Sequence, residues 1–249
     1  MSETRTRLRA LLVDDEELAR TVLRELLATH ADIEVAGECA NGFEAVKAVS
    51  ELQPDLVFLD IQMPKLNGFE VLELLDRDVA VVFVTAYDQY ALRAFEVHAV
   101  DYLLKPFGEE RLAAALIEAR RRLQAQERLP VAALAAAARP QGPLERILIR
   151  DGARVHILSV EHIDYVEAQD DYVLFHSGGK KYMKHETLAN LETQLDAKRF
   201  VRIHRSYLLH IERLSRVEPY AKDSRVAILQ DGTKLPVSRA GYTRLSTLL

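Results

Sequence analysis

Five polar residues stand at the ends of short apolar runs in the first half of this 249-residue chain. Asp14 and Asp15 follow Leu11–Val13, Asp60 follows Leu56–Leu59, Thr85 follows Val81–Val84, and Lys105 follows Tyr102–Leu104 and precedes Pro106. If these runs are strands of one parallel sheet, their carboxyl ends share an edge, and three carboxylates, an ammonium and a hydroxyl meet there. Three uncompensated carboxylates repel one another and are costly to bury. A hard cation with oxygen ligands relieves that, and Mg²⁺ suits a site with few carboxylates and several waters. A carboxylate beside Mg²⁺, an ammonium and a hydroxyl is arranged to attack a phosphoryl group and to hold the oxygens of the product. Taken singly, each residue reads as a helix cap or an ordinary surface group. Their joint placement, in order at four strand ends, carries the chemistry.

The elements needed to position them are legible. Leu8–Val13 is apolar without alternation, as in a strand buried on both faces. Val35–Cys39, Leu56–Asp60, Val79–Thr85 and Ala99–Leu104 are further strands. Helices are expected at Glu16–Thr29, Gly42–Leu52, Gly68–Leu75, Gln89–Phe95 and Glu109–Leu123, the first with Leu18, Val22, Leu26, Ala19, Leu23 and Leu27 on its inner side. Five strand–helix pairs imply an α/β domain, a doubly wound five-stranded parallel sheet. Ligands of such sheets sit at the carboxyl ends of the strands.

The composition divides the chain. The net charge is −5, but residues 1–128 carry −9 and residues 143–249 carry +3, with six of the eight histidines. An acidic half and a basic half suggest modules with different partners. Between them LPVAALAAAARPQGP, rich in alanine and punctuated by Pro130, Pro140 and Pro143, reads as a linker. The expected domains are 1–123, a linker 124–143, and 144–249. The single Cys39 excludes an intramolecular disulfide scaffold. The N-terminal segment has no signal-peptide core, and no window approaches the ~20 apolar residues of a membrane span. A soluble, cytoplasmic protein with no membrane partner is expected.

After Leu144 the pattern becomes short strands and tight turns, with Asp151-Gly152, Gly178-Gly179 and Asp231-Gly232 as punctuation. Only Thr187–Gln194 and Arg239–Leu248 look helical. A mostly-β domain is expected. In RFVRIHRSYLLH, the run Val201–Leu209 reads as one strand. Strict alternation would put Arg205 on the face of Val201 and Ile203, so a bulge or strand end must free it. Tyr165, Tyr172, Phe175, Tyr207, Tyr220 and Tyr242 read as core residues. The histidines show no ligand spacing with cysteine, so no metal centre beyond Mg²⁺ is expected.

The stretches LLVDDEELAR, DLVFLDIQMPKLNGFEVL, VVFVTAYDQYALRAF and VDYLLKPF resemble the receiver domain of bacterial two-component response regulators, over roughly residues 7–123. The resemblance implies a flavodoxin-like strand order and Asp60 as phosphoacceptor. It implies Mg²⁺ held by Asp14, Asp15, Asp60 and the backbone carbonyl of Gln62. It implies Thr85 and Lys105 on the phosphoryl oxygens, Tyr102 as an aromatic switch, and a cis Lys105-Pro106 bond. The partner implied is a sensor histidine kinase. Phosphorylation is expected to promote a homodimer through the fourth and fifth helices and the strand between them.

The stretches IDYVEAQDDYVLFHSGGKKYMKHETLANLETQL, FVRIHRSYLL and LPVSRAGYTRL resemble a LytTR-type DNA-binding domain, over roughly residues 145–249. Small antiparallel sheets are implied, with double-stranded promoter DNA as partner. Carried over by position, the DNA contacts are Arg205 and Arg239, with Lys184 a weaker candidate. Asp170 and Asp171 depart from a basic loop; they either accept a cytosine amino group or only shape the loop. His210 stands where asparagine is common and is assigned no contact. The resulting reading is a transcriptional response regulator, not an enzyme, although the receiver catalyses its own phosphoryl transfer and dephosphorylation. Two alternatives stand beside it. A phosphohydrolase is disfavoured because Gln62 stands where such enzymes keep a second aspartate. A receiver driving a protein- or RNA-interaction module differs by lacking sequence-specific duplex binding.

Overall fold

The computed structural model describes residues 7–86, 99–125, 142–152, 154–221 and 224–248. The helix expected at Gln89–Phe95 and most of the expected linker lie outside the described residues. Contacts divide the chain into two units, Met1–Pro140 and Gln141–Leu249. Among the described residues no helix is long and apolar enough to cross a membrane.

In the N-terminal unit, strands β1 (Leu8–Val13), β2 (Ile33–Cys39), β3 (Leu56–Leu59), β4 (Ala80–Thr85) and β5 (Asp101–Leu104) form one sheet in the order β2-β1-β3-β4-β5. Every pairing is parallel. All residues of β3 and β4 are buried, which is why these runs are uniformly apolar rather than alternating. Among the described residues the helices are α1 (Glu17–Ala28), α2 (Gly42–Leu52), α3 (Gly68–Leu74) and α4 (Glu109–Gln124). In α1 only part of the expected inner side is inside. Leu23 and Leu27 are buried, whereas Leu18 is 75% and Val22 43% exposed. Leu26 is partly buried against the core, so the stripe of Leu18, Val22 and Leu26 is open only at its N-terminal end, at Leu18 and Val22.

Two side-chain caps set the helices that flank the strand ends. Asn41 accepts the Glu44 N–H at 3.0 Å, opening α2. Asn67 and Glu70 form a reciprocal capping box at α3, with bonds of 3.0 and 2.9 Å. Gly68 begins α3 against the end of β3: a Cβ there would lie 2.5 Å from the Asp60 carbonyl oxygen. The glycine is required by that close approach rather than by its backbone angle.

The C-terminal unit holds a hairpin of β6 (Arg146–Asp151) and β7 (Arg154–Ser159), turned at Gly152 with φ +58°. A five-stranded antiparallel sheet follows, of β8 (Tyr165–Gln169), β9 (Tyr172–Ser177), β10 (Lys180–His185), β11 (Phe200–His204) and β12 (Tyr207–His210), in the order β10-β9-β8-β12-β11. A third sheet runs β13-β14-β15, from Leu214–Ala221, Ser224–Leu229 and Lys234–Val237. Helices α5 (Leu188–Gln194) and α6 (Arg239–Ser246) are capped by Thr187 and Ser238.

The five-stranded sheet serves two cores. Val166, Val173, Phe175, Phe200 and Leu208 pack with Leu188 and Leu191 of α5. Val201, Ile203 and Leu209 pack with Ala227, Leu229, Leu235, Val237 and Leu245. Burial on both faces accounts for the adjacent apolar pairs Phe200-Val201 and Leu208-Leu209, one member of each pair facing each core.

Two expectations are corrected. The single strand expected at Val201–Leu209 is a hairpin, β11 and β12, because His204 pairs with Tyr207 across a two-residue turn at Arg205-Ser206. Neither turn residue has a positive φ, so no glycine or asparagine marks the turn in the sequence. The tyrosines are not uniformly core: Tyr220 is 77% and Tyr172 41% exposed, while Phe175 is fully buried. Tyr165, Tyr207 and Tyr242 pack at the margin of the second core.

Candidate functional site

The parallel register brings the ends of β1, β3, β4 and β5 to one edge: Val13 lies beside Leu59, Leu59 beside Phe83, and Thr85 beside Leu104. The residues that follow these strands therefore converge. Carboxylate oxygens of Asp14, Asp15 and Asp60 lie within 4.8 Å of one another. Asp14 and Asp60 are buried and Asp15 is exposed at the mouth.

The Lys105 ammonium reaches into this cluster, 2.6 Å from Asp14 Oδ2 and 3.1 Å from Asp60 Oδ2, with Glu16 Oε2 at 3.7 Å. The backbone N–H of Glu16 donates to Asp14 Oδ1 at 3.0 Å, and that of Gln62 donates to Asp60 Oδ1 at 3.2 Å. Burial pushes the Asp14 carboxyl above the usual carboxylate range despite its bonds to Lys105 and the Glu16 N–H. Burial also opposes the charge on Lys105, but Asp14 and Asp60 outweigh it and hold its pKa above the usual lysine value. One ammonium thus leaves three carboxylates under-compensated, and an additional cation fits. The donor set is all oxygen, as Mg²⁺ requires.

Thr85 Oγ1 is fully buried and has no hydrogen-bond partner among the described residues. An unpartnered buried hydroxyl at the end of β4 suits an oxyanion acceptor. Lys105 is held against it by its own N–H, which donates to the Thr85 carbonyl at 2.8 Å, and the Lys105-Pro106 bond is cis. Tyr102 precedes the partner of Thr85 by two residues, hence shares its sheet face, and its side chain is buried. Arg111 of α4 fixes this strand, donating to the Tyr102 carbonyl and to Asp101, both at 2.7 Å.

Sequence reasoning missed the guanidinium of Arg20, which donates to the Asp14 carbonyl at 2.7 Å and so anchors the Asp14-Asp15 turn. Its position one helical turn beyond Glu16 is the one available signal, and it is weak.

The basic candidates of the C-terminal unit occupy different places. Arg205 is exposed at the β11–β12 turn. Among the described residues its guanidinium makes no ion pair. Glu167, a conceivable partner, is engaged by the Tyr207 hydroxyl at 3.1 Å and by His176 Nε2 at 3.0 Å. Arg239 is exposed at the first position of α6. The preceding Ser238 donates through N–H and Oγ to the Ile203 carbonyl, at 2.9 and 3.1 Å, two residues before Arg205. The fold thus joins the Arg205 turn and the Arg239 helix start through β11. Lys184 is not brought to them. It lies on β10 at the opposite edge of the sheet, about 19 Å away at ~4.8 Å per strand, and is 3.8 Å from Glu186.

Asp170 and Asp171 form the two-residue turn between β8 and β9, and Asp170 has φ +51°. Aspartate tolerates that left-handed conformation, which gives it a loop-shaping role. His210 is fully buried, with Nδ1 2.8 Å from the Ile163 carbonyl and its ring stacked on Phe200 at 4.6 Å. It is a core residue.

Comparison with known proteins agrees with this division. Residues 10–117 match the family model of the response regulator receiver domain, and residues 153–249 match that of the LytTr DNA-binding domain. The chain is 36% identical over 245 residues to the Bacillus anthracis protein named sensory transduction protein LytT, covering 97% of this chain and 99% of that one. It is 37% identical over 236 residues to the Escherichia coli protein named transcriptional regulatory protein BtsR, covering 93% and 95%.

Proposed function

Because the chain belongs to the response regulators that join a receiver domain to a LytTR DNA-binding domain, we propose that Asp60 is its phosphoacceptor and that Arg205 and Arg239 are its principal DNA contacts. The chain is a transcriptional response regulator rather than an enzyme; a receiver implies a sensor kinase, and a LytTR domain implies DNA. Receivers bind Mg²⁺ at an acidic pocket, and the fit of Asp14, Asp15 and Asp60 supports that here. The backbone carbonyl of Gln62 completes the proposed ligand set.

In the proposed reaction an Asp60 carboxylate oxygen attacks the phosphorus of a phosphohistidine. The new O–P bond forms as the P–N bond breaks, and the departing imidazole keeps the electron pair and takes up a proton. Bound Mg²⁺ supplies charge neutralisation on the phosphoryl oxygens. Asp14 and Asp15 hold that cation. Lys105 releases Asp60 Oδ2 to pair with a phosphoryl oxygen, and the Thr85 hydroxyl donates to another. Drawing Thr85 toward the phosphoryl group alters the space beside it on the sheet face shared with Tyr102, which biases a population of active conformers. The active form is a homodimer, paired through the β5 side of the receiver. The segment between α4 and β6 joins the two domains, and the protein works in the cytoplasm.

The observation that carries the reading is the Lys105 ammonium 3.1 Å from Asp60 within a cluster of three carboxylates. Its test is labelling of the full chain by a small phosphodonor. Mg²⁺-dependent labelling is expected for the wild type and none for Asp60→Asn, since an amide is not a nucleophile; undiminished labelling of the variant defeats the assignment. Light scattering of the same samples is expected to show dimers only in the labelled wild type.

A further inference from the structure

We propose that Arg202 and Arg244 are positioning residues for DNA reading, acting through the Arg205 turn and the start of α6 rather than on DNA. The inference rests on the reading of Arg205 as a DNA contact. Arg202 lies on β11, an edge strand whose outer carbonyls no other strand among the described residues pairs. Its guanidinium spans two elements: Nη1 lies 3.2 Å from Glu192 of α5, and Nη2 donates to the Arg205 carbonyl at 2.8 Å. The side chain therefore fixes the turn that carries Arg205 against a helix outside it.

The Arg202 carbonyl is in turn gripped by Arg244 of α6, whose Nε and Nη2 both donate to it, at 3.1 and 2.7 Å. The next carbonyl, of Ile203, takes the Ser238 N–H and hydroxyl. Gly241 lets α6 lie directly on this strand, since a Cβ there would stand 1.9 Å from the Ile203 oxygen. Three carbonyls of the β11 end, those of Arg202, Ile203 and Arg205, are thus held from the side. The helix that begins at Arg239 and the turn that presents Arg205 become one body.

Arginine is needed at both positions for its geometry. A planar fork puts two donors on one oxygen, or bridges a carboxylate and a carbonyl; an ammonium offers a point charge without that shape. Preorganisation of the reading groups reduces what is lost on ordering them at the DNA surface.

The test compares Arg202→Lys and Arg244→Lys with the wild-type full chain, on a duplex selected from genomic fragments and on a scrambled duplex, at several salt concentrations. Both variants keep the charge and lose the fork. The expected result is about tenfold weaker binding to the selected duplex, the scale of one relaxed base contact. Scrambled-duplex affinity and the salt slope stay unchanged, because no phosphate contact is removed. Combining Arg202→Lys with Arg205→Ala is expected to cost no more than Arg205→Ala alone, as for residues acting through one another. Glu192→Gln, which loosens Arg202 without altering β11 or α6, is expected to shift binding in the same direction by less, and it remains informative if a lysine variant folds poorly. Wild-type discrimination in the lysine variants, or equal losses on both duplexes, overturns the proposal. If Arg205→Ala itself leaves discrimination intact, the reading of Arg205 falls and takes the proposal with it. If Arg205→Ala loses discrimination and the lysine variants do not, the proposal alone falls.

Discussion

The pocket at the end of the parallel sheet, proposed to take a phosphoryl group, and the arginine platform of the output unit, proposed to contact DNA, are built in opposite ways. In the pocket, Asp14, Asp60 and Thr85 are buried, and charge is held close against charge. On the platform, Arg205 and Arg239 are exposed, and the buried part is the backbone that holds them. A single phosphoryl group can enter a cavity and be surrounded, so a small desolvated site stabilises it through fixed dipoles and charges. A duplex cannot be surrounded. Its recognition depends on exposed forks kept at fixed spacing. The lesson is that rigidity sits in the side chains of the first site and in the main chain beneath the second.

That contrast can be broken most severely at two glycines. Gly68 carries the pocket's close approach and Gly241 the platform's. Gly241→Ala puts a Cβ 1.9 Å from the Ile203 oxygen, and Gly68→Ala puts one 2.5 Å from the Asp60 oxygen. Overpacking of this kind costs ~1–3 kcal/mol and occasionally more; Gly241→Ala is expected beyond the upper end, with loss of specific DNA binding, and Gly68→Ala within the range. Chemical denaturation of each variant, with amide exchange to tell which unit opens, measures both. Equal protection of β11 in Gly241→Ala and the wild type would show that α6 does not need its close seat.

Arg205→Ala is expected next in size, about 1–3 kcal/mol of specific binding with relaxed preference at one base pair. Titration of specific and scrambled duplexes reads it. A uniform loss on all sequences, with a salt slope lower by about one, would reassign Arg205 to the phosphate backbone.

The smallest effect concerns protons. Burial holds the His210 imidazole below the usual histidine pKa, against the pull of the Ile163 carbonyl, and burial lowers His176 in the same direction. The unfolded chain takes up these protons near pH 6.5 and the folded unit resists them. Their stabilisation is present above that pH and is lost as pH falls through the lower folded values. Amide protection of β11 and β12 should therefore weaken below about pH 6.5, and His210→Asn should weaken the dependence. An unchanged pH profile in that variant would assign the effect to other groups.

How much of this was legible in the sequence follows from the same contrast. The pocket was readable because a parallel sheet delivers strand ends to one edge by topology, so Asp14, Asp60, Thr85 and Lys105 could be joined without coordinates. The α/β-then-β succession was readable from buried runs and turn signals, whereas the strand order came only from the resemblance to receiver domains. The stripe of Leu18 and Val22 misled, because apolar spacing marks a helix face without saying what covers it. The Arg205 turn was hidden because apolar residues flank it on both sides and no glycine, asparagine or proline marks it. The Arg202–Arg244 clamp was not readable, since guanidinium-to-carbonyl bonds between residues 42 apart leave no periodicity.

Phosphorylation in the pocket is proposed to govern DNA binding by the platform. The direct measurement is affinity of the full chain for its selected duplex, with and without Mg²⁺ and a small phosphodonor, with phosphorylation verified by mass. Tighter specific binding is predicted for the phosphorylated wild type and no change for Asp60→Asn under the same treatment. An unchanged affinity in wild-type chain carrying the phosphoryl group on Asp60 would show that the platform is not controlled from the pocket.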